Sequence, residues 1–145
     1  MKLQQIAIFM ENKPGHLRTI CRVLAEADVS ITTLSLADTQ QYGILRLLVE
    51  NWEEARDALT KAGFVVNATE VLAVEVDDKP GGLLRILDII GESDINIEYM
   101  YAYTYHRNEK AIMVFRFDDP DKAIAALQKQ GVKVLTAIDL LKGSW

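Results

Sequence analysis

Asn12-Lys13-Pro14-Gly15-His16-Leu17 and Asp78-Lys79-Pro80-Gly81-Gly82-Leu83 are two versions of one stretch, 80 − 14 = 66 positions apart. Each follows an alternating apolar run, Ile6/Ile8/Met10 in one case and Leu72/Val74/Val76 in the other. Each then opens a segment with helical apolar spacing, Leu17/Ile20/Cys21/Leu24 or Leu83/Ile86/Leu87/Ile90. Both stretches are therefore expected to be tight strand-to-helix turns. Pro14 and Pro80 fix φ without needing an amide partner, and Gly15 and Gly81 remove the side chain that would keep a ligand from the backbone. The N–H groups at a helix start have no intrahelical acceptor, so such a turn can hold an anion. In a single copy, Pro-Gly is as readily explained by the turn alone.

The similarity extends outward. Lys13, Gly15, Leu17, Ile20, Glu26, Asp28 and Ile31 return as Lys79, Gly81, Leu83, Ile86, Glu92, Asp94 and Ile97. Ala55, Ala58, Leu59, Lys61, Gly63 and Val66 return as Ala123, Ala126, Leu127, Lys129, Gly131 and Val134, now at 123 − 55 = 68. The second copy thus carries two extra residues, expected in the connection through Tyr105-His106-Arg107-Asn108. After the first helix each copy has two strand-like runs, 31–37 and 43–50 or 97–105 and 110–118, joined as a hairpin. A second helix starts after Asn51 or after Asp119-Pro120, residues suited to capping and to the first helical turn. Gly63 and Gly131 end these helices, and 64–67 and 132–136 supply a last short strand.

Each copy is thus β-α-β-β-α-β, the split pattern of the ferredoxin-like sandwich, an α+β fold with two helices on one face of an antiparallel sheet. The expected domains are 1–68 and 69–136, with a tail at 137–145 that forms one helical turn or two and places Trp145 against an edge or a partner. The join Ala68-Thr69-Glu70 lacks Pro and Gly, unlike a flexible tether.

A chain of 145 residues, half of them apolar and about a quarter charged, is expected to fold as a soluble protein. The net charge of -5 argues against a sequence-independent hold on nucleic acid or on an anionic membrane. No run is long and apolar enough for a membrane span, and Met1-Lys2-Leu3-Gln4-Gln5 lacks the core of a signal peptide, so a cytoplasmic location is expected. Cys21 is the only cysteine, which excludes an internal disulfide and a cysteine-pair zinc site. Its place in the helical stripe predicts a small buried apolar residue.

Two β-α-β-β-α-β units, each with an N/D-K-P-G-x-L turn after the first strand, resemble the ACT domain family of small-molecule sensors. Asp28-Val29-Ser30-Ile31 and Asp94-Ile95-Asn96-Ile97, at the entry to the second strand, are similar to that family as well. The resemblance implies domains that bind amino acids and regulate enzymes, with sheets set edge to edge and ligands where the turn meets a neighbouring domain. With no catalytic domain in the sequence, it implies a stand-alone tandem ACT protein that acts on a partner enzyme in trans, and a homodimer. Neither cofactor nor metal is expected.

A free amino acid presents a carboxylate, suited to a helix N-terminus, and an ammonium, suited to a carboxylate or to backbone carbonyls. The candidate ligand-binding residues are Asn12, Pro14, Gly15, His16 and Leu17 in the first turn, and Asp78, Pro80, Gly81, Gly82 and Leu83 in the second. Tyr99 and Tyr101 join them, because Tyr99, Tyr101, Tyr103 and Tyr105 alternate where the first copy has Thr33, Ser35 and Ala37. Such a face suits a pocket wall, an interface or ordinary packing. Asn12 against Asp78 and His16 against Gly82 predict unequal sites. The alternatives are an interaction module without a ligand and a small acylphosphatase-like enzyme. That enzyme would need an anion-binding arginine in the turn, where only Arg18 and Arg85 of the following helices lie nearby.

Overall fold

In the computed structural model the elements run β1 (Leu3–Glu11), α1 (His16–Glu26), β2 (Ile31–Asp38), β3 (Tyr42–Val49), α2 (Trp52–Lys61), β4 (Val65–Asp77), α3 (Gly82–Glu92), β5 (Ile97–Arg107), β6 (Lys110–Phe117), α4 (Pro120–Lys129), β7 (Val134–Leu135) and α5 (Ala137–Lys142). The structure describes residues 1–38 and 40–142, without the side chains of 38, 104–107, 141 and 142. Trp145, Thr39 of the first hairpin and the side chains of Tyr105 and His106 lie outside the described residues. Two compact units are formed, one by Gln4–Thr69 and the other by Met1–Leu3 with Glu70–Trp145. Each is a ferredoxin-like domain.

In the unit of residues 4–69, β3 lies between β1 and β2, antiparallel to both. Ile6, Ile8 and Met10 of β1 and Leu45 and Leu47 of β3 point to one face, where Ile20 and Leu24 of α1 and Ala55 and Leu59 of α2 cover them. The other unit repeats the plan. β6 lies between β4 and β5, β7 pairs with the far side of β4, and Leu72, Val74, Val76 and Phe115 pack under Ile86, Ile89 and Ile90 of α3 and Ala123 and Leu127 of α4. Phe115 and Phe117 stack with ring centroids 5.2 Å apart. No helix among the described residues is long and apolar enough to cross a membrane.

Local chemistry explains the element ends. Gly63 and Gly131 sit at φ 93° and 71° just past α2 and α4, where a left-handed residue closes a helix. Asp28 and Asp94 take φ 57° and 52° at the exits of α1 and α3, a region that Asp tolerates better than most side chains. Asp119 caps α4 by accepting from the Lys122 N–H at 3.0 Å. Asn51 makes no such bond at α2.

Several expectations are corrected. Residues 65–67, of the last short strand expected for the first copy, and 72–76 are parts of a single strand, β4, that runs unbroken through the join. Ala68-Thr69-Glu70 contains neither Pro nor Gly, so nothing there interrupts an extended backbone. Cys21 is exposed, as are Leu83 and Leu87. α1 and α3 are rotated so that Ile20/Leu24 and Ile86/Ile89/Ile90 face the sheets, which leaves the 17/21 and 83/87 positions on the flank. The two extra residues of the second copy enter strand β5 rather than the connection. Ala102 pairs with Met113 but His106 with Ala111, so a wide irregularity takes them up. The turn beyond holds only Asn108 and Glu109, both at positive φ, the conformation of a two-residue hairpin turn.

A Cβ built on Gly82 would lie 1.9 Å from the Asp77 carbonyl oxygen, whereas one on Gly91 meets nothing within 4 Å. Gly82→Ala is therefore expected to destabilise the protein by about 1–3 kcal/mol. Gly91→Ala is expected to be neutral or stabilising by up to about 1 kcal/mol. Urea unfolding of the two variants checks the order.

Candidate functional site

The Pro-Gly turns are built alike. Gly15 and Gly81 occupy the N-cap positions of α1 and α3 in the left-handed region, at φ 89° and 85°, and no side chain caps either helix. The His16 N–H donates to the Lys13 carbonyl at 3.3 Å and the Gly82 N–H to the Lys79 carbonyl at 3.0 Å. Thr19 and Arg85 donate back to Gly15 and Gly81. The first-turn amides of Leu17 and Arg18, and of Leu83 and Leu84, are the ones that helix geometry leaves open. Each turn is also tethered to its hairpin by one backbone bond, Asn12 N–H to Gln41 at 3.0 Å and Asp78 N–H to Glu109 at 2.8 Å.

A cavity lies against each tether, and the two differ. The first, of about 350 Å³, is lined by Glu11, Asn12, Lys13, Gln41 and Tyr42. The second, of about 450 Å³, is lined by Val76, Asp77, Asp78, Lys79, Pro80, Leu83, Ala111 and Met113. It thus combines an apolar wall with a charged rim. Of the residues expected from sequence, Asn12 lines the first cavity, and Asp78, Pro80 and Leu83 line the second. Pro14, Gly15, His16 and Leu17 lie on the turn and helix start away from the first cavity. Gly81 borders a separate hollow along α3 with Arg85 and Gln130. Gly82 is buried beneath the turn. The tyrosines are not brought to this site. Tyr99 and Tyr101 pair with Arg116 and Val114 of β6, whereas Met113, which lines the cavity, pairs with Ala102; the cavity and the tyrosines are on opposite faces of the sheet.

The charged rim was not read in full from the sequence. Asp77 faces Lys110 across the β4–β6 ladder and forms an ion pair with it, and Lys79 stands 4.0 Å from the same carboxylate. In the first unit Glu11 faces Tyr42 and pairs with Lys13 instead. Tyr42 and Lys110 are equivalent positions, so the repeat alone could have shown a neutral wall in one copy and a cation in the other. The hydrogen bond from Lys110 holds the Asp77 carboxyl below the ordinary carboxylate range, and the same bond raises Lys110. Lys13 likewise holds Glu11 down. No group of three His, Cys, Asp or Glu among the described residues is placed to hold a metal ion.

A family model described as an ACT domain pair matches residues 1–142. The chain belongs to that family. The crystal structure of protein BT0572 from Bacteroides thetaiotaomicron is 35% identical, covering 97% of this chain and 96% of its own, with a TM-score of 0.90. The ligand-free regulatory subunit of aspartate kinase from Thermus thermophilus matches at 16% identity and a TM-score of 0.62, over 87% of this chain and 91% of its own. The corresponding subunit from Thermus flavus matches at 16% and 0.62, over 87% and 90%. At that identity the kinase subunits speak to the fold alone. No curated protein matches the chain.

Because the folded-state Asp77 carboxyl is depressed, its contribution to stability is present above its unfolded pKa and lost as pH falls through the folded value. Lys110→Met is expected to return Asp77 towards the ordinary aspartate value of about 3.9. A carbon-detected NMR titration of the side-chain carboxyl reads this directly, and an Asp77 midpoint unchanged by the substitution would contradict the pairing.

Proposed function

We propose that this ACT domain pair is a non-catalytic sensor of a free amino acid, bound at the second Pro-Gly turn, and that occupancy of the site regulates a partner enzyme in trans. The observation that carries the reading is the second cavity, where Val76, Leu83, Ala111 and Met113 form an apolar wall beside the charges of Asp78 and Lys79. A zwitterion needs both signs within a few ångströms, and its side chain needs an apolar recess. Asp78 takes the ammonium. Lys79 and the open amides at the start of α3 take the carboxylate. Lys110 is already committed to Asp77 and serves to neutralise it. The first cavity has the same turn but only Tyr42 as an apolar surface, so it is the weaker site. Membership of the ACT family supports a regulatory role.

A thermal-shift series with the common amino acids tests this. A ligand at a hundred times its Kd adds about 2.7 kcal/mol to stability, which raises the midpoint of a chain of this size by roughly 5–11 °C. At least one amino acid with an apolar side chain is expected to do so, Asp78→Ala to abolish the shift, and Asn12→Ala to leave it. No shift with any amino acid at millimolar concentration would contradict the reading.

A further inference from the structure

The two copies fill the space beside their Pro-Gly turns differently. In the first, Gly43 faces Met10 across the β1–β3 ladder, and a Cβ built on Gly43 would meet Leu36 Cδ1 at 3.5 Å and Met10 Cγ at 3.6 Å. The place over position 43 is thus taken by two side chains of the protein itself, and the cavity at that turn has no aliphatic lining. The sequence offsets set Val76 in the place of Met10, Ala102 in that of Leu36, Ala111 in that of Gly43 and Met113 in that of Leu45. Strand pairing agrees: Val76 faces Ala111 as Met10 faces Gly43, and Ala102 faces Met113 as Leu36 faces Leu45. Ala102 stops at Cβ where Leu36 carries an isobutyl chain, and Val76 lacks the outer atoms of Met10, while Ala111 adds back only a methyl group. The apolar wall of the second cavity, Val76, Leu83, Ala111 and Met113, stands around this vacated room. Ala102 is exposed, so the room is open to solvent from β5.

We infer that the ligand's side chain takes the place that Leu36 fills in the first copy, so that the second site selects an aliphatic amino acid of leucine size, leucine or methionine, and that Ala102 sets this choice. The inference rests on the amino-acid reading above and adds which side chain the site accepts. An apolar recess gains affinity with each methylene that it buries, so alanine leaves it unfilled. A polar side chain loses its water there and finds no hydrogen-bond partner among Val76, Leu83, Ala111 and Met113. An aromatic ring needs more room than one isobutyl group vacates, and forcing it in displaces the wall. Met113 is unbranched and flexible, and adapts to leucine and methionine alike. The first copy carries its own plug in Leu36 and Met10, which is a second reason, beside the loss of Asp78 and Lys110, for its being the weaker site.

Isothermal titration calorimetry with leucine, methionine, alanine, phenylalanine and glutamine tests it. Leucine or methionine is expected to bind tightest, at least about tenfold tighter than alanine, with phenylalanine and glutamine weaker than either. Ala102→Leu gives the second copy the chain that the first copy already has at an exposed strand position. It is expected to weaken leucine at least about tenfold more than alanine, whereas damage to the fold or to the charged rim would weaken both alike. Tightest binding of alanine, phenylalanine or glutamine would overturn the inference and leave the amino-acid reading standing. So would an Ala102→Leu variant that keeps the wild-type ratio of leucine to alanine affinity. Binding of none of the common amino acids would overturn both.

Discussion

Each unit depends on one backbone constraint, the left-handed glycine that turns a strand directly into a helix. Gly15 and Gly81 hold φ near +90° at the N-cap, a conformation that costs other L-residues roughly 1–2 kcal/mol. Using glycine there has a second consequence, because the residue that would ordinarily cap the helix has no side chain. The turn closes without satisfying the first-turn amides. The feature that makes the β-α connection tight therefore also leaves donors open at its mouth, and the adjoining Lys, Asp and hairpin residues decide what those donors can meet.

The two units then diverge around that shared device. Gly82 lies so close to the Asp77 carbonyl that no side chain fits, whereas the first turn places His16 at the same position. Lys110 replaces Tyr42 opposite the strand-end acid, and Met113 replaces Leu45 beneath it. The cavity at the second turn is consequently walled with apolar side chains, while the one at the first is lined by polar ones and Tyr42. Inequality of the two sites thus follows from a few substitutions around a fixed backbone.

The fold was legible because its period and punctuation repeat. Alternating Ile6/Ile8/Met10 and Leu72/Val74/Val76, the helical stripes and the terminal glycines each appear twice, and the family resemblance rested on the same residues. Helix rotation was harder to read, since Leu83 and Leu87 fit an apolar stripe as well as Ile89 does, and only packing on the sheet selects among them. The bulge in β5 had no local signal beyond a count of two residues. The short α5 stands where one helical turn or two was expected, but the signal at its start was not read from the sequence. Thr136 and Asp139 cap it reciprocally, at 3.0 and 3.1 Å, in the spacing of a capping box. The candidate site was half legible. Asp78, Pro80 and Leu83 meet at one cavity, but Tyr99 and Tyr101 were drawn in as an alternating aromatic face suited to a pocket wall, and alternation fixes a shared face and not which face.

Open first-turn amides at an αL glycine turn, used to hold a carboxylate, are the central claim, and nitrogen–proton correlation NMR on the uniformly labelled chain addresses them atom by atom. On titration with an amino acid that raises the unfolding midpoint, the amides of Leu83 and Leu84 should move saturably and furthest. The matching amine without its carboxylate should leave them in place. Saturable binding that moves other amides while those of Leu83 and Leu84 stay still would contradict the claim.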